Sequence, residues 1–130
     1  MLRHLIICLS ILPLFACAQF TDNFEDGELH ANPIWLGDTA QFEINAAGQL
    51  HLNSSGTDSS VLYLPSTAAD SAEWSFWIKH SFSGSASNCS RVYLMSDQSD
   101  LTGPLNGYFL QFGEALSLDA VELFRQTGLT

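Results

Sequence analysis

Basic residues are scarce in this chain: 4 Lys+Arg stand against 14 Asp+Glu over 130 residues, for a net charge of −10. That balance excludes the cationic footprint by which proteins hold nucleic acid or an anionic membrane. Cysteine is sparse, with 3, and so is proline, with 4. Long runs of Ala, Glu, Lys and Leu at helical spacing are missing, which argues against a helical bundle. No apolar run reaches the roughly 20 residues that a membrane-spanning helix needs. Enough remains to build a core, because 46% of the residues are hydrophobic and 12% aromatic, more than a disordered chain carries. The length suits one domain.

The opening residues read as an address. Arg3 and His4 form a short basic stretch, and Leu5 to Phe15 follow as an apolar run broken only by Ser10 and Pro13. Ala16-Cys17-Ala18 then supplies a small-x-small cleavage pattern before Gln19. The expectation is a secretory signal peptide over residues 1–18, helical while it lasts, with the mature domain spanning 19–130. Leu14-Phe15-Ala16-Cys17 also looks like a lipobox that would make Cys17 a lipid anchor, but Phe15 and Pro13 suit that motif poorly. Both routes take the domain out of the cytoplasm, to a secreted or cell-surface location, with no transmembrane span after cleavage.

Cleavage removes Cys8 and Cys17 with the leader and leaves Cys89 alone. One cysteine makes no intramolecular disulfide, and no Cys or His pair has zinc-ligand spacing. Cys89 is therefore expected as a free, partly buried thiol. Stability has to come from packing, or from metal ions held by the surplus acids.

Turn residues punctuate the mature chain at Glu25-Asp26-Gly27, Asn45-Ala46-Ala47-Gly48, Asn53-Ser54-Ser55-Gly56, Ser83-Gly84-Ser85 and Leu105-Asn106-Gly107. Short runs rich in aromatic and β-branched residues lie between them, the spacing of an all-β sandwich or barrel. Glu73 to Phe82 is the longest such run. Trp74, Phe76, Ile78, His80 and Phe82 share one parity, and Glu73, Ser75, Trp77, Lys79 and Ser81 the other. Gln49 to Leu52, Arg91 to Leu94, Gly107 to Phe112 and Val121 to Phe124 alternate similarly. One covered and one wetter face is the mark of antiparallel sheets. Trp74, Phe76, Ile78, Val92, Leu94, Tyr108, Leu110 and Phe112 are the expected core. His80, on that apparent core face, reads as a histidine with one satisfied hydrogen bond.

A group of motifs, taken in order, has a familiar look. Phe20-Thr21-Asp22-Asn23-Phe24-Glu25-Asp26-Gly27 opens the mature chain, followed by Asn32-Pro33-Ile34-Trp35-Leu36-Gly37-Asp38, Phe42-Glu43-Ile44-Asn45 and Gly48-Gln49-Leu50-His51-Leu52. Then come Glu73-Trp74-Ser75-Phe76-Trp77, Arg91-Val92-Tyr93-Leu94, Asn106-Gly107-Tyr108-Phe109 and Glu122-Leu123-Phe124-Arg125. The order resembles secreted proteins of Bacteroidetes that begin with a concanavalin A-like, laminin G-type jelly-roll sandwich, over nearly all of residues 20–128. The resemblance implies an antiparallel β-sandwich. It also implies that the sandwich is incomplete at its C-terminus, with further C-terminal domains of the same protein to follow.

Glycoside hydrolases in that superfamily set two Glu around an Asp on one strand, since retaining hydrolysis needs two carboxyls about 5 Å apart. Ser117-Leu118-Asp119-Ala120-Val121-Glu122 is the nearest match. Asp119 and Glu122 fit its second and third positions, but Ser117 stands where the nucleophile belongs, and Glu114 lies too far upstream to replace it. A serine without a paired base forms no glycosyl-enzyme intermediate. No Gly-x-Ser-x-Gly elbow, His-Glu-x-x-His helix or phosphate loop occurs. No catalytic residue is assigned.

Two binding expectations follow. Sandwiches of this type hold structural calcium, which takes six to eight oxygens; Asp22, Glu25 and Asp26 form one loose acid cluster, and Asp97 and Asp100 another. Glycan is the other ligand implied. Trp77, Arg91, Tyr93, Phe109 and Gln111, from three strands on the wetter parity, would make an aromatic and polar surface if those strands are neighbours. The expected function is a non-catalytic, extracellular module that is adhesive or binds glycan. Two alternatives remain. One is a diverged glycoside hydrolase or lyase whose catalytic residues lie beyond Thr130. The other is a lipid-anchored protein acting only as a scaffold.

Overall fold

The computed structural model describes residues 20–68, 72–85, 87–113 and 120–129. The expected signal peptide, with its cleavage pattern and Cys17, lies outside them. Among the described residues seven strands are formed: β1 (Leu36–Gly37), β2 (Phe42–Ile44), β3 (Leu50–Leu52), β4 (Leu62–Tyr63), β5 (Ser90–Ser96), β6 (Leu105–Phe112) and β7 (Val121–Gly128). Every ladder is antiparallel. The only helical element among the described residues is a 3-10 turn at Thr39–Gln41. The chain is a mostly β protein of small sheets, in which β1 pairs with β4, β2 with β3, and β5, β6 and β7 form a three-stranded sheet with β6 at its centre.

Local chemistry explains the hairpins. Between β2 and β3, the Asn45 Oδ1 accepts from the Ala47 and Gln49 backbone N–H groups at 2.9 and 3.1 Å. Gly48 adopts φ +68°, the left-handed conformation that closes such a loop. The Asp38 backbone N–H donates to the Val61 carbonyl at 2.8 Å, and Asp38 Oδ2 accepts from the Val61 N–H at 2.9 Å, which locks β1 onto β4.

The three-stranded sheet has one irregularity. Tyr93 stands opposite Phe109, while Met95 stands opposite Tyr108, so Leu94 is an extra residue without a partner. Such a bulge bends its strand and reverses the facing of everything beyond it. Leu105, Asn106 and Gly107, expected as a turn, instead open β6. Gly107 is buried there, and a Cβ on it would collide with the Met95 carbonyl. Close backbone approach next to the bulge is what demands glycine.

Two expectations are corrected. Glu73 to Phe82 forms no ladder among the described residues. Side chains hold it instead: the Phe76 ring meets Phe112 edge-on at 6.1 Å, and His80 Nε2 lies 2.8 Å from Ser90 Oγ. Alternation is only a disposition to form a strand, and it becomes one when a neighbouring backbone supplies hydrogen bonds.

The expected core is also only partly covered. Trp74, Phe76 and Tyr108 are exposed, at 42, 46 and 40%, and Ile78, Val92, Leu94, Leu110 and Phe112 are half-buried. Among the described residues the buried apolar side chains are Leu29, Leu105 and Phe109. Periodicity separates two faces of a strand but does not say which of them another layer covers.

Candidate functional site

The β5–β6–β7 registers set three rows across one face of the sheet. Arg91, Gln111 and Glu122 form the first, Tyr93, Phe109 and Phe124 the second, and Ser96, Gly107 and Gln126 the third. Side chains two residues apart on a strand share a face, and directly opposed residues in an antiparallel pair lie on the same side. The alternation of each strand therefore produces an aromatic row flanked by polar ones.

The rows are interlocked. Phe109 and Phe124 stack with centroids 5.2 Å apart and planes at 17°, and Tyr93 lies 4.9 Å from Phe109 on the other side. Phe109 is 3% exposed at the centre, whereas Phe124 is exposed and Tyr93 half-buried. The Arg91 guanidinium carbon sits 4.9 Å from the Phe109 centroid, a cation–π contact. Its Nε–H donates to Gln111 Oε1 at 3.1 Å. The Tyr93 hydroxyl donates to Gln126 Oε1 at 2.8 Å, and Gln126 Nε2 donates to the Gly128 carbonyl at 3.0 Å. Both polar atoms of the buried Gln126 are thereby satisfied, as burial requires.

Of the five residues expected to make a binding surface, Arg91, Tyr93, Phe109 and Gln111 come together on this face. Phe109 lies beneath the surface rather than on it. Trp77 stands apart on the unpaired 72–80 segment at 69% exposure, and among the described residues no ring contact ties it to the other four. Phe124, Gln126 and Glu122 belong to the same face and were not in the expected set. Their shared parity, opposite to Val121 and Leu123, is readable in the sequence, but their alignment with Phe109 and Gln111 depends on the β6–β7 register.

The acids expected as calcium ligands act as acceptors for nearby groups. Asp22 Oδ1 accepts from the Phe24 N–H at 2.8 Å and Oδ2 from Trp35 Nε1 at 2.7 Å, beside the Phe24–Trp35 ring pair. Asp26 Oδ1 accepts from the Glu28 N–H at 3.3 Å, and Glu25 is exposed. Asp97 fastens the β5–β6 connection: Oδ1 accepts from the Asn106 N–H and Oδ2 from Asn106 Nδ2, both at 2.8 Å. Asp100 Oδ1 accepts from the Thr102 N–H at 2.9 Å and the Thr102 hydroxyl at 2.6 Å. The Asn106 backbone and side-chain bonds hold the Asp97 carboxyl below the ordinary carboxylate range, and the Thr102 hydroxyl and N–H do the same for Asp100. Among the described residues, no group of three or more His, Cys, Asp or Glu is placed to hold a metal ion.

Two nucleophile arrangements bear on catalysis, and only one of them falls wholly within the described residues. Glu122 is exposed in β7, while Glu114, Ser117 and Asp119 lie outside the described residues. The His80–Ser90 contact joins a base to a hydroxyl, and the His80 ring stacks on Phe82 at 4.8 Å. Among the described residues no carboxylate hydrogen-bonds the other ring nitrogen, so the orienting third group of a triad is not supplied there. Cys89, nearby in sequence, is a half-buried free thiol.

The fold and this face define a class, a mostly antiparallel β protein with a mixed aromatic and polar sheet surface. Comparison with known protein families, curated proteins and solved structures finds no match to this chain.

Proposed function

We propose that this chain is an exported, non-catalytic β-sandwich module that binds glycan on the Arg91–Glu122 face of the β5–β6–β7 sheet. The observation that carries the reading is the juxtaposition of rows. An aromatic row, Tyr93–Phe109–Phe124, lies beside a row holding donors (Arg91), both kinds of group (Gln111) and acceptors (Glu122). Sugars present apolar C–H faces and a rim of hydroxyls that donate and accept, so they are matched by aromatic carbon next to such polar groups. Support for export comes from the basic start, apolar run and Ala16-Cys17-Ala18 pattern of the leader.

The test is affinity electrophoresis of the mature chain, residues 19–130, through gels holding single polysaccharides. Retardation by at least one polymer is expected, with Phe124→Ala and Gln111→Ala abolishing or strongly weakening it. Free migration through every gel would overturn the proposal.

A further inference from the structure

We infer that Arg91 selects a carboxylate, so that the glycan bound on this face carries uronic acid groups spaced along an otherwise neutral chain. The inference rests on the glycan-binding reading and narrows it to a ligand class. Three observations point to it. First, Arg91 is exposed, and the Phe109 ring and Gln111 together hold its guanidinium plane. A guanidinium carries five N–H donors in a rigid fork. With Nε–H committed to Gln111 and no acceptor for the Nη groups among the described residues, those groups are the ones to meet a ligand. Second, although acids outnumber bases 14 to 4, the only ion pair among the described residues is between His51 and Glu43. Glu122, in the same row, is separated from Arg91 by the Gln111 strand, a distance of about 9.6 Å from two strand spacings. The acid-rich chain thus places a preorganised guanidinium, with no carboxylate partner among the described residues, on the face that also bears its aromatic row. Third, planar carboxylate is the anion whose two oxygens fit that fork in parallel.

Charge limits the density of those carboxylates. The net charge of −10 and the Glu122 carboxylate both repel a polymer with an acid on every sugar. An isolated uronate avoids most of that repulsion. Its carboxylate meets Arg91, a neighbouring sugar meets the accessible edges of Tyr93 and Phe124, and Glu122 accepts from neutral hydroxyls.

The test uses the mature chain in affinity gels containing glucuronoxylan, gum arabic or xanthan, each paired with its carboxyl-reduced form, and polygalacturonate as the dense polyanion. At least one native polymer should retard the chain, with affinity falling about tenfold or more on carboxyl reduction, the loss of one charge-assisted pair. Arg91→Lys keeps the charge but not the fork and should lose most of the difference between native and reduced polymer. Equal retardation by native and reduced forms would overturn the carboxylate inference and leave the glycan reading intact. So would stronger retardation by polygalacturonate than by the sparsely charged polymers, or an Arg91→Lys chain that discriminates as well as the wild type. Free migration through all gels would overturn both. The polymer comparison needs no variant, so misfolding of an Arg91 substitution does not decide it.

Discussion

Asp97 and Asp100 show how a small acidic protein uses carboxylates without bases to pair them. Each is exposed and each accepts two hydrogen bonds from one residue, Asp97 from Asn106 at the start of β6 and Asp100 from Thr102 in the β5–β6 connection. Hydrogen bonds to the ionised form lower its pKa. A group whose folded pKa is depressed stabilises the fold fully above its unfolded value and loses that contribution as pH falls through the folded value. Both side chains are therefore expected to titrate below the usual 3.8 when followed by carboxyl NMR. The 97–106 connection should stay fastened at neutral and mildly acidic pH, and loosen only once pH drops beneath that value. In Asn106→Ala, which removes the side-chain donor, the Asp97 titration should move back toward 3.8. A wild-type Asp97 that titrates at or above 3.8 would contradict this account.

At the scale of the strand, the bulge at Leu94 and the glycine opposite it act together. Gly107 stands against Ser96 just beyond the extra residue, where the Met95 carbonyl occupies the space of a side chain. Gly107→Ala should lower stability by roughly 1–3 kcal/mol, the range for overpacking a tight site, measured by denaturant unfolding. Facing matters as much along β6. Phe109→Ala should cost about 3–5 kcal/mol, as for a buried aromatic. The adjacent Tyr108→Ala, on the exposed side, should cost about 1 kcal/mol or less. Equal losses at the two positions would show that the sheet buries the other face. His80 and Phe76 have a related role, since they attach a strand-like segment to the sheet through side chains alone.

At the scale of the molecule, the core formed by the described residues is small. Among the described residues three apolar side chains and Gln126 are buried, while Val121 and Leu123, on the opposite face from Phe109, are 58 and 64% exposed. One face gathers around Phe109 and the other is partly covered, with Phe76 against Phe112 and His80 against Ser90, a step toward the layered arrangement that β domains use to bury a core. Charge has a role at this scale as well, since a strongly negative net charge keeps exposed apolar surface in solution. Export itself is checked by mass spectrometry of protein recovered outside the cytoplasm, where the N-terminus is expected at Gln19. A lipidated Cys17 would instead identify the lipobox route.

Much of this architecture was legible in the residues, and the limits are physical. Alternation located β3, β5, β6 and β7, because a period of two reflects strand geometry directly. Asn45 and Gly48 marked their turn because a left-handed residue and a side-chain acceptor are local requirements. The grouping of Arg91, Tyr93, Phe109 and Gln111 followed from parity, given adjacent strands. Parity could not say that Phe109 lies beneath the surface, that Trp77 stands apart, or that Phe124 and Gln126 complete the rows. Those outcomes depend on register, and register arises from pairings between residues far apart in sequence. The sequence by itself determined the charge, the β character, the turns and the two-faced pattern of each strand, since all of these depend on residues within a few positions of one another. Only the tertiary structure decided which face is covered, whether Glu73 to Phe82 finds a partner, and where β5 bulges, because each of these requires a second backbone to be in place.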